Sequence, residues 1–345
     1  MRRGILAALG AALLFGASTP LAKLLVGDTS PWLLAGLLYL GSGLGLAAVS
    51  LFKRRTVSRL TRDEGLALAG AIVAGGIAGP VLLMWALSRM PASAAALLLN
   101  AEAVFTALIA WFVFKENFDR RIALGMLLVV AGAIVLSSPS EASVDRAMPA
   151  LAVLAACLAW AIDNNLTRKV SLADPRTVAM LKGLAAGATN TSLALLVGAS
   201  LPRLPVLGGA LIVGWLGYGV SLALFVVALR ELGTARTAAY FSTAPFAGAI
   251  FAVLLLGESV TVTLFIAAVL MAAGVWLHIS ERHAHRHTHE PLEHTHEHEH
   301  DEHHRHAHEP PVPPGTRHTH AHRHEPLTHA HVHYPDAHHR HGHSS

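Results

Sequence analysis

One stretch of this chain occurs twice. Shifted forward by 142 positions, residues 84–136 fall without a gap on residues 226–278. Ala86-Leu87 then meets Ala228-Leu229, Ala107 meets Ala249, Ala110 meets Ala252, Glu116 meets Glu258 and Ala131-Gly132 meets Ala273-Gly274. Each copy reads as an apolar helix, a short polar break at a glutamate, and a second apolar helix. Self-similarity on this scale constrains the architecture more than any local pattern does. The unit is far longer than a solenoid repeat, and two apolar halves of this size are what a secondary transporter built from internal repeats requires.

Composition points to a bilayer as solvent. The 345 residues are 53% hydrophobic and 14% charged, where a soluble chain is nearer a quarter charged. Ten apolar runs, each close to the ~20 residues a bilayer demands, fall at about 4–26, 31–52, 65–89, 92–114, 120–138, 148–168, 176–200, 206–230, 234–256 and 260–280. Turn-makers Pro31, Pro91, Pro139, Pro175, Pro202 and Pro205 punctuate the connections. The run after Arg2-Arg3 is read as a retained span and not a cleavable leader, because its counterpart from Met148 to Val170 lies mid-chain. The fold class expected is therefore an all-α integral membrane protein. Residues 1–138 form a first five-helix repeat, 139–147 a linker, 148–280 a second five-helix repeat, and 281–345 a tail.

Charge sets orientation. One set of loops carries Arg2 and Arg3; Lys53, Arg54, Arg55, Arg59 and Arg62; Lys115, Arg120 and Arg121; Arg168, Lys169 and Arg176; Arg230 and Arg236. The other set carries Arg89, Arg146 and Arg203. Both termini are expected on the cytoplasmic side. Five spans is an odd number, so the two halves are expected to be inverted. The loop of Lys115, Arg120 and Arg121 aligns with uncharged Gly257, Val262 and Thr263, as inversion demands. The net charge of +4 is spread over these loops and is read as topology, not nucleic-acid binding. The single Cys157 excludes an intrachain disulfide. No phosphate-binding lysine loop and no nucleophile elbow occurs, so nothing argues for an enzyme.

Ionisable groups within spans need a partner or a water-filled cavity. Glu102 lies near the middle of the fourth run, too deep for its short side chain to reach water, which suits a proton-coupling site; the alternative is a hydrogen-bonded structural glutamate. Asn100 lies on another face and is read as packing between helices. Asp163, Asn164 and Asn165 in the sixth run, with Lys182 and Asn190 in the seventh, form a second cluster. Asp163 and Lys182 lie at similar depths from the cytoplasmic end, at ~1.5 Å per residue, so an ion pair between them is geometrically easy. It can serve as a gate, a substrate anchor or a helix clamp. Lys23 is expected to snorkel to the interface, and Glu116 and Glu258 are read as loop or capping charges.

The tail is of another kind. Twenty-three histidines lie between His283 and His343, mostly as His-X-His. Without apolar periodicity, the segment is expected to be disordered. Neutral imidazole suits Zn, Ni, Cu and Co, and His283, His285, His287, His289, His294, His296, His298, His300, His303, His304, His306, His308, His318, His320, His322 and His324 are the candidate ligands. Its disorder leaves selectivity among these metals unspecified. No cofactor is required elsewhere.

These residues together resemble the EamA-type transporters of the drug/metabolite transporter superfamily. The resemblance covers Ile5 to about Ile279. It is carried by Ala244-Pro245-Phe246 through Leu256-Gly257-Glu258-Ser259, by Phe105-Thr106-Ala107 through Phe114-Lys115-Glu116, and by the aromatic-small pairs Phe15-Gly16 and Trp160-Ala161. Glu102-Ala103 stands where the second half has Ala244-Pro245, and the tail lies outside the pattern. The resemblance implies a bacterial inner-membrane carrier of small metabolites or drug-like solutes, often outward and proton-coupled. The function expected is secondary transport, with Glu102 as coupling group and Asp163, Asn164, Asn165, Lys182 and Asn190 along the pathway. The rivals are transition-metal efflux loaded by the tail, and a membrane-anchored metal buffer or sensor. Monomer and homodimer both stay open.

Overall fold

The computed structural model describes residues 2–27, 29–51, 61–114, 120–137, 144–167, 175–232, 237, 240–279, 284–288, 293–298, 318–323 and 328–332. The chain divides into two units, Met1–Glu281 and Arg282–Ser345.

The first unit is helical throughout its regular structure. In order come α1 (Arg2–Val26), α2 (Pro31–Leu51), α3 (Arg62–Ala71), a π-helical turn (Ile72–Ala78), α4 (Gly79–Leu87), α5 (Ala92–Leu98), α6 (Ala101–Phe114), α7 (Arg120–Ser137) and α8 (Val144–Thr167). They are followed by α9 (Pro175–Leu196), α10 (Leu204–Gly214), a second π-helical turn (Trp215–Val220), α11 (Ser221–Leu232), α12 (Ala244–Leu256) and α13 (Val262–Ile279). Among the described residues, seven helical stretches are long and apolar enough to cross a membrane, and Ala244–Leu256 and Val262–Leu277 are shorter apolar helices.

Local chemistry sets several helix ends. Thr61 and Glu64 close a reciprocal capping box at the start of α3, satisfying N–H groups that would otherwise lack a partner. Pro31 and Pro175 open their helices, where the missing N–H costs nothing. Gly257 ends α12 at φ +66°, a left-handed conformation that glycine adopts without strain.

The helices exchange partners between the two halves. The opening helix α1 packs on α11 and α12, and α8 packs on α4, α6 and α3. Helix α2 lies along α9 and α7 along α13. The α2–α9 crossing is close because Gly43 and Gly183 face each other's backbone: a Cβ on Gly183 would sit 2.8 Å from the Gly43 nitrogen. Close backbone approach of this kind holds helices together in lipid, where no hydrophobic force drives them.

The structure corrects the sequence reading in two places. The fourth run is not one helix: α5 and α6 are separated by a tighter turn in which the N–H groups of Asn100 and Glu102 donate to Leu97 and Leu99, three residues back. No glycine or proline marks this break, so composition gave no signal of it. The tail, expected to be disordered, contains four strands: β1 (Ala284–Thr288), β2 (Glu293–His298), β3 (His318–Arg323) and β4 (Thr328–Val332). Strand β1 pairs antiparallel with β4, and β2 with β3. The physical reason is that His-X-His alternation has the two-residue period of a strand even without apolar residues.

Candidate functional site

Glu102 stands in the first turn of α6, directly after the break, and is half-buried. Its Oε1 accepts a 2.8 Å hydrogen bond from the Asn164 amide on α8. One residue before Asn164, Asp163 is buried and its Oδ1 receives Lys182 Nζ of α9 at 2.5 Å. Thr167 completes the cluster: its hydroxyl donates to Asp163 Oδ1 at 2.8 Å and lies 3.3 Å from Lys182 Nζ. Glu102 lies within Coulombic reach of both Asp163 and Lys182. Two carboxylates and one ammonium thus share a small volume where α6, α8 and α9 meet.

The first π turn supports this cluster. Gly75 packs so tightly on Asp163 that a Cβ there would overlap the Asp163 side chain, 2.5 Å from its Cγ. The Gly75 carbonyl, released from regular α-helical pairing, accepts the Trp160 indole N–H at 2.8 Å and the Tyr39 hydroxyl at 2.9 Å. Single π turns recur at functional sites because they free backbone groups in this way. Asn190, fully buried, accepts Trp32 Nε1 at 3.0 Å and donates to the Gly76 carbonyl at 3.2 Å. Its contacts brace the π turn from behind.

The second π turn lies 142 positions on, with Gly217 in the place of Gly75. A Cβ on Gly217 would fall 2.6 Å from Ser18 Cβ. Ser18 follows Phe15 by three residues, as Asp163 follows Trp160. The two opening helices therefore meet corresponding π turns in the same manner, one through a serine and the other through an aspartate. On the serine side an aromatic group fills the space: Phe15 meets Tyr218 edge-on at 5.8 Å and Phe241 at 5.5 Å, and Tyr218 lies 5.6 Å from Tyr39. Gly16 seals that crossing by packing against the α12 backbone at Ala244 and Gly248. The polar chemistry is confined to one side.

The expected residues divide accordingly. Glu102, Asp163, Asn164 and Lys182 come together, and Asn190 touches the cluster only through the π turn. Asn165 does not join it; its amide donates to the Ala161 carbonyl of its own helix at 2.8 Å. Asn100 is buried, with its amide on the Leu97 carbonyl at 2.9 Å. Thr167, Tyr39 and Gly75 were not among the expected site residues, and Trp160 was read only as half of an aromatic-small pair. Of the candidate tail ligands, His283, His289, His300, His303, His304, His306, His308 and His324 lie outside the described residues. Among the rest, His294, His296 and His298 are in register with His322, His320 and His318, and His285 and His287 with His331 and His329.

Comparison with known proteins agrees with this architecture. The EamA-like transporter family matches the chain twice, over residues 2–138 and 147–280. An uncharacterized transporter of Methanothermobacter thermautotrophicus is 26% identical over 298 residues, covering 80% of this chain and 87% of the relative. A probable amino-acid metabolite efflux pump of Salmonella typhimurium is 30% identical over 207 residues, covering 55% of this chain and 68% of the pump. A solved crystal structure shares the fold at TM-score 0.61 and 20% identity, over 80% of this chain and 95% of its own. The chain is a multi-pass membrane protein and belongs to the EamA-like transporter family.

Proposed function

We propose that this protein is a proton-coupled secondary transporter that exports small organic metabolites across the bacterial inner membrane. Ten spans form two inverted five-helix halves, with both termini cytoplasmic. The equivalent placing of the two π turns and of Ser18 and Asp163 against them supports the repeat, and the distribution of lysine and arginine between loops supports the orientation. The observation that carries the function is Glu102 at the junction of two half-helices, hydrogen-bonded to Asn164 and beside the Asp163–Lys182 pair. Broken helices near the midplane are where transporters of this kind bind substrate and coupling ion.

The site's chemistry narrows the solute. A cluster with two carboxylates and one ammonium suits a molecule bearing both an amine and a carboxylate: Glu102 faces the amine and Lys182 the acid. The efflux pump of Salmonella typhimurium, named for amino-acid metabolites, supports the same class. Glu102 then binds either a proton or the solute amine, which couples the two flows. The experiment is counterflow of labelled amino acids and their amides into proteoliposomes, with and without a pH gradient. Solute-dependent proton movement supports the reading; uptake that ignores the gradient counts against coupling.

A second reading rests on the tail. The register between β2 and β3 sets three histidines opposite three others, and alternate positions share a strand face. Neutral imidazole suits Ni, Co, Zn or Cu. Transition-metal efflux loaded by the tail, or metal buffering by it, is the corresponding function. Against metal passage through the membrane, the ten apolar runs hold no histidine but His278.

A further inference from the structure

At the end of the membrane unit reached by α1 at Val26, two oppositely charged residues grip one short segment. Lys23 Nζ donates to the carbonyls of Leu87 and, at 3.0 Å, of Met90, at the end of α4. Glu258 accepts the N–H of Ala92 at 2.7 Å, the N–H of Ser93 at 2.9 Å and the Ser93 hydroxyl at 2.5 Å, at the start of α5. The segment from Leu87 to Ser93 is therefore held at its carbonyl end by a cation and at its amide end by an anion. Each charge complements the helix end it meets. Ser93 is buried, so its contact with Glu258 is shielded from water.

We propose that Glu258 and Lys23 form a latch that closes the outer end of the transport pathway, and that its release opens that end. This rests on the alternating-access reading above. The latch joins the segment between spans three and four to α1 and α12, which belong to different parts of the repeat pair. Those are the elements that must part for a midplane site to face outward. Glu258 reaches back across the end of α12 because Gly257 is left-handed there, at φ +66°; its Cβ position is otherwise open, so conformation and not crowding calls for glycine. Lys23 and Glu258 also lie within Coulombic reach of each other. When the Leu87–Ser93 segment withdraws, the two charges pair with one another, so neither is stranded in the membrane. Two arrangements of one charge pair give the discrete states that a switching element requires.

The test uses the full chain in proteoliposomes, with Cys157→Ser and a reporter at Asn164→Cys, labelled by a membrane-impermeant maleimide from either side. The latch predicts that Glu258→Gln and Ser93→Ala each raise labelling from the outer side at least about tenfold, the factor that one hydrogen bond to a charged group supports. Outer labelling that stays unchanged in both single variants, while inner labelling persists, overturns the latch and leaves the transporter reading standing. A reporter that is labelled from neither side in any variant overturns alternating access at this site, and the latch with it.

Discussion

The Asn164 amide of α8 donates to the Glu102 carboxylate of α6 across 2.8 Å and 62 positions of sequence. This bond ties Glu102 to the helix that also carries Asp163. Asn164→Leu removes it, and a hydrogen bond to a charged group is worth about 1.5–3 kcal/mol. Export should slow at least about tenfold, while the thermal midpoint in detergent changes little, because Asn164 is exposed. Rates measured in proteoliposomes alongside melting curves separate the two effects.

The Asp163–Lys182 pair makes a different prediction. Removing either partner leaves a charge without its counter-ion at a site where the side chains are 8% and 18% exposed. Asp163→Asn or Lys182→Met alone should destabilise by up to about 3 kcal/mol, and the double variant should regain much of that. A thermal-shift double-mutant cycle checks this. Transport should stay low in Lys182→Met and in the double variant, since the solute's acid loses its ammonium.

Gly75→Ala should be as damaging as either of these, though it changes no polar atom. The added methyl overlaps Asp163, and the nearest escape is to push α8 off the π turn. Folding yield should fall, and any folded protein should lose export. Gly65→Ala, where the Cβ meets nothing within 4 Å, is the control and should be neutral or slightly stabilising.

These predictions separate what the residues alone disclosed from what packing added. Seven of the ten apolar runs were legible, because a bilayer needs long apolar stretches and helices of that length and apolarity stand there among the described residues; the runs at 234–256 and 260–280 hold shorter apolar helices instead. The Asp163–Lys182 contact was legible because the two lie at matched depth on adjacent spans. The Asn164 partner of Glu102 was not, since nothing local shows which helices will cross. Lys23 was read as snorkelling, yet it reaches another part of the chain; Glu258 was read as a loop or capping charge and does cap a helix, but one distant in sequence. A cap supplied from 165 residues away leaves no trace in spacing. The break before Glu102 escaped notice because its residues, Leu98-Leu99-Asn100-Ala101, contain no helix breaker.

The tail offers a prediction independent of transport. A chain ending at Arg282 should keep the export activity of the membrane unit and lose binding of Zn, Ni, Cu or Co measured by equilibrium dialysis. Metal content of cells that follows the tail but ignores Glu102→Gln would assign the tail to buffering. Metal content lowered by the intact chain, and restored by either change, would favour metal efflux.

Proton flux through Glu102→Gln is the decisive measurement. Purified protein in proteoliposomes containing a pH-sensitive dye is given an amino-acid solute gradient, and internal pH is followed. The intact chain should move protons with solute, whereas Glu102→Gln should exchange solute without moving protons. Equal solute-driven proton movement in both proteins would contradict Glu102 as the coupling group.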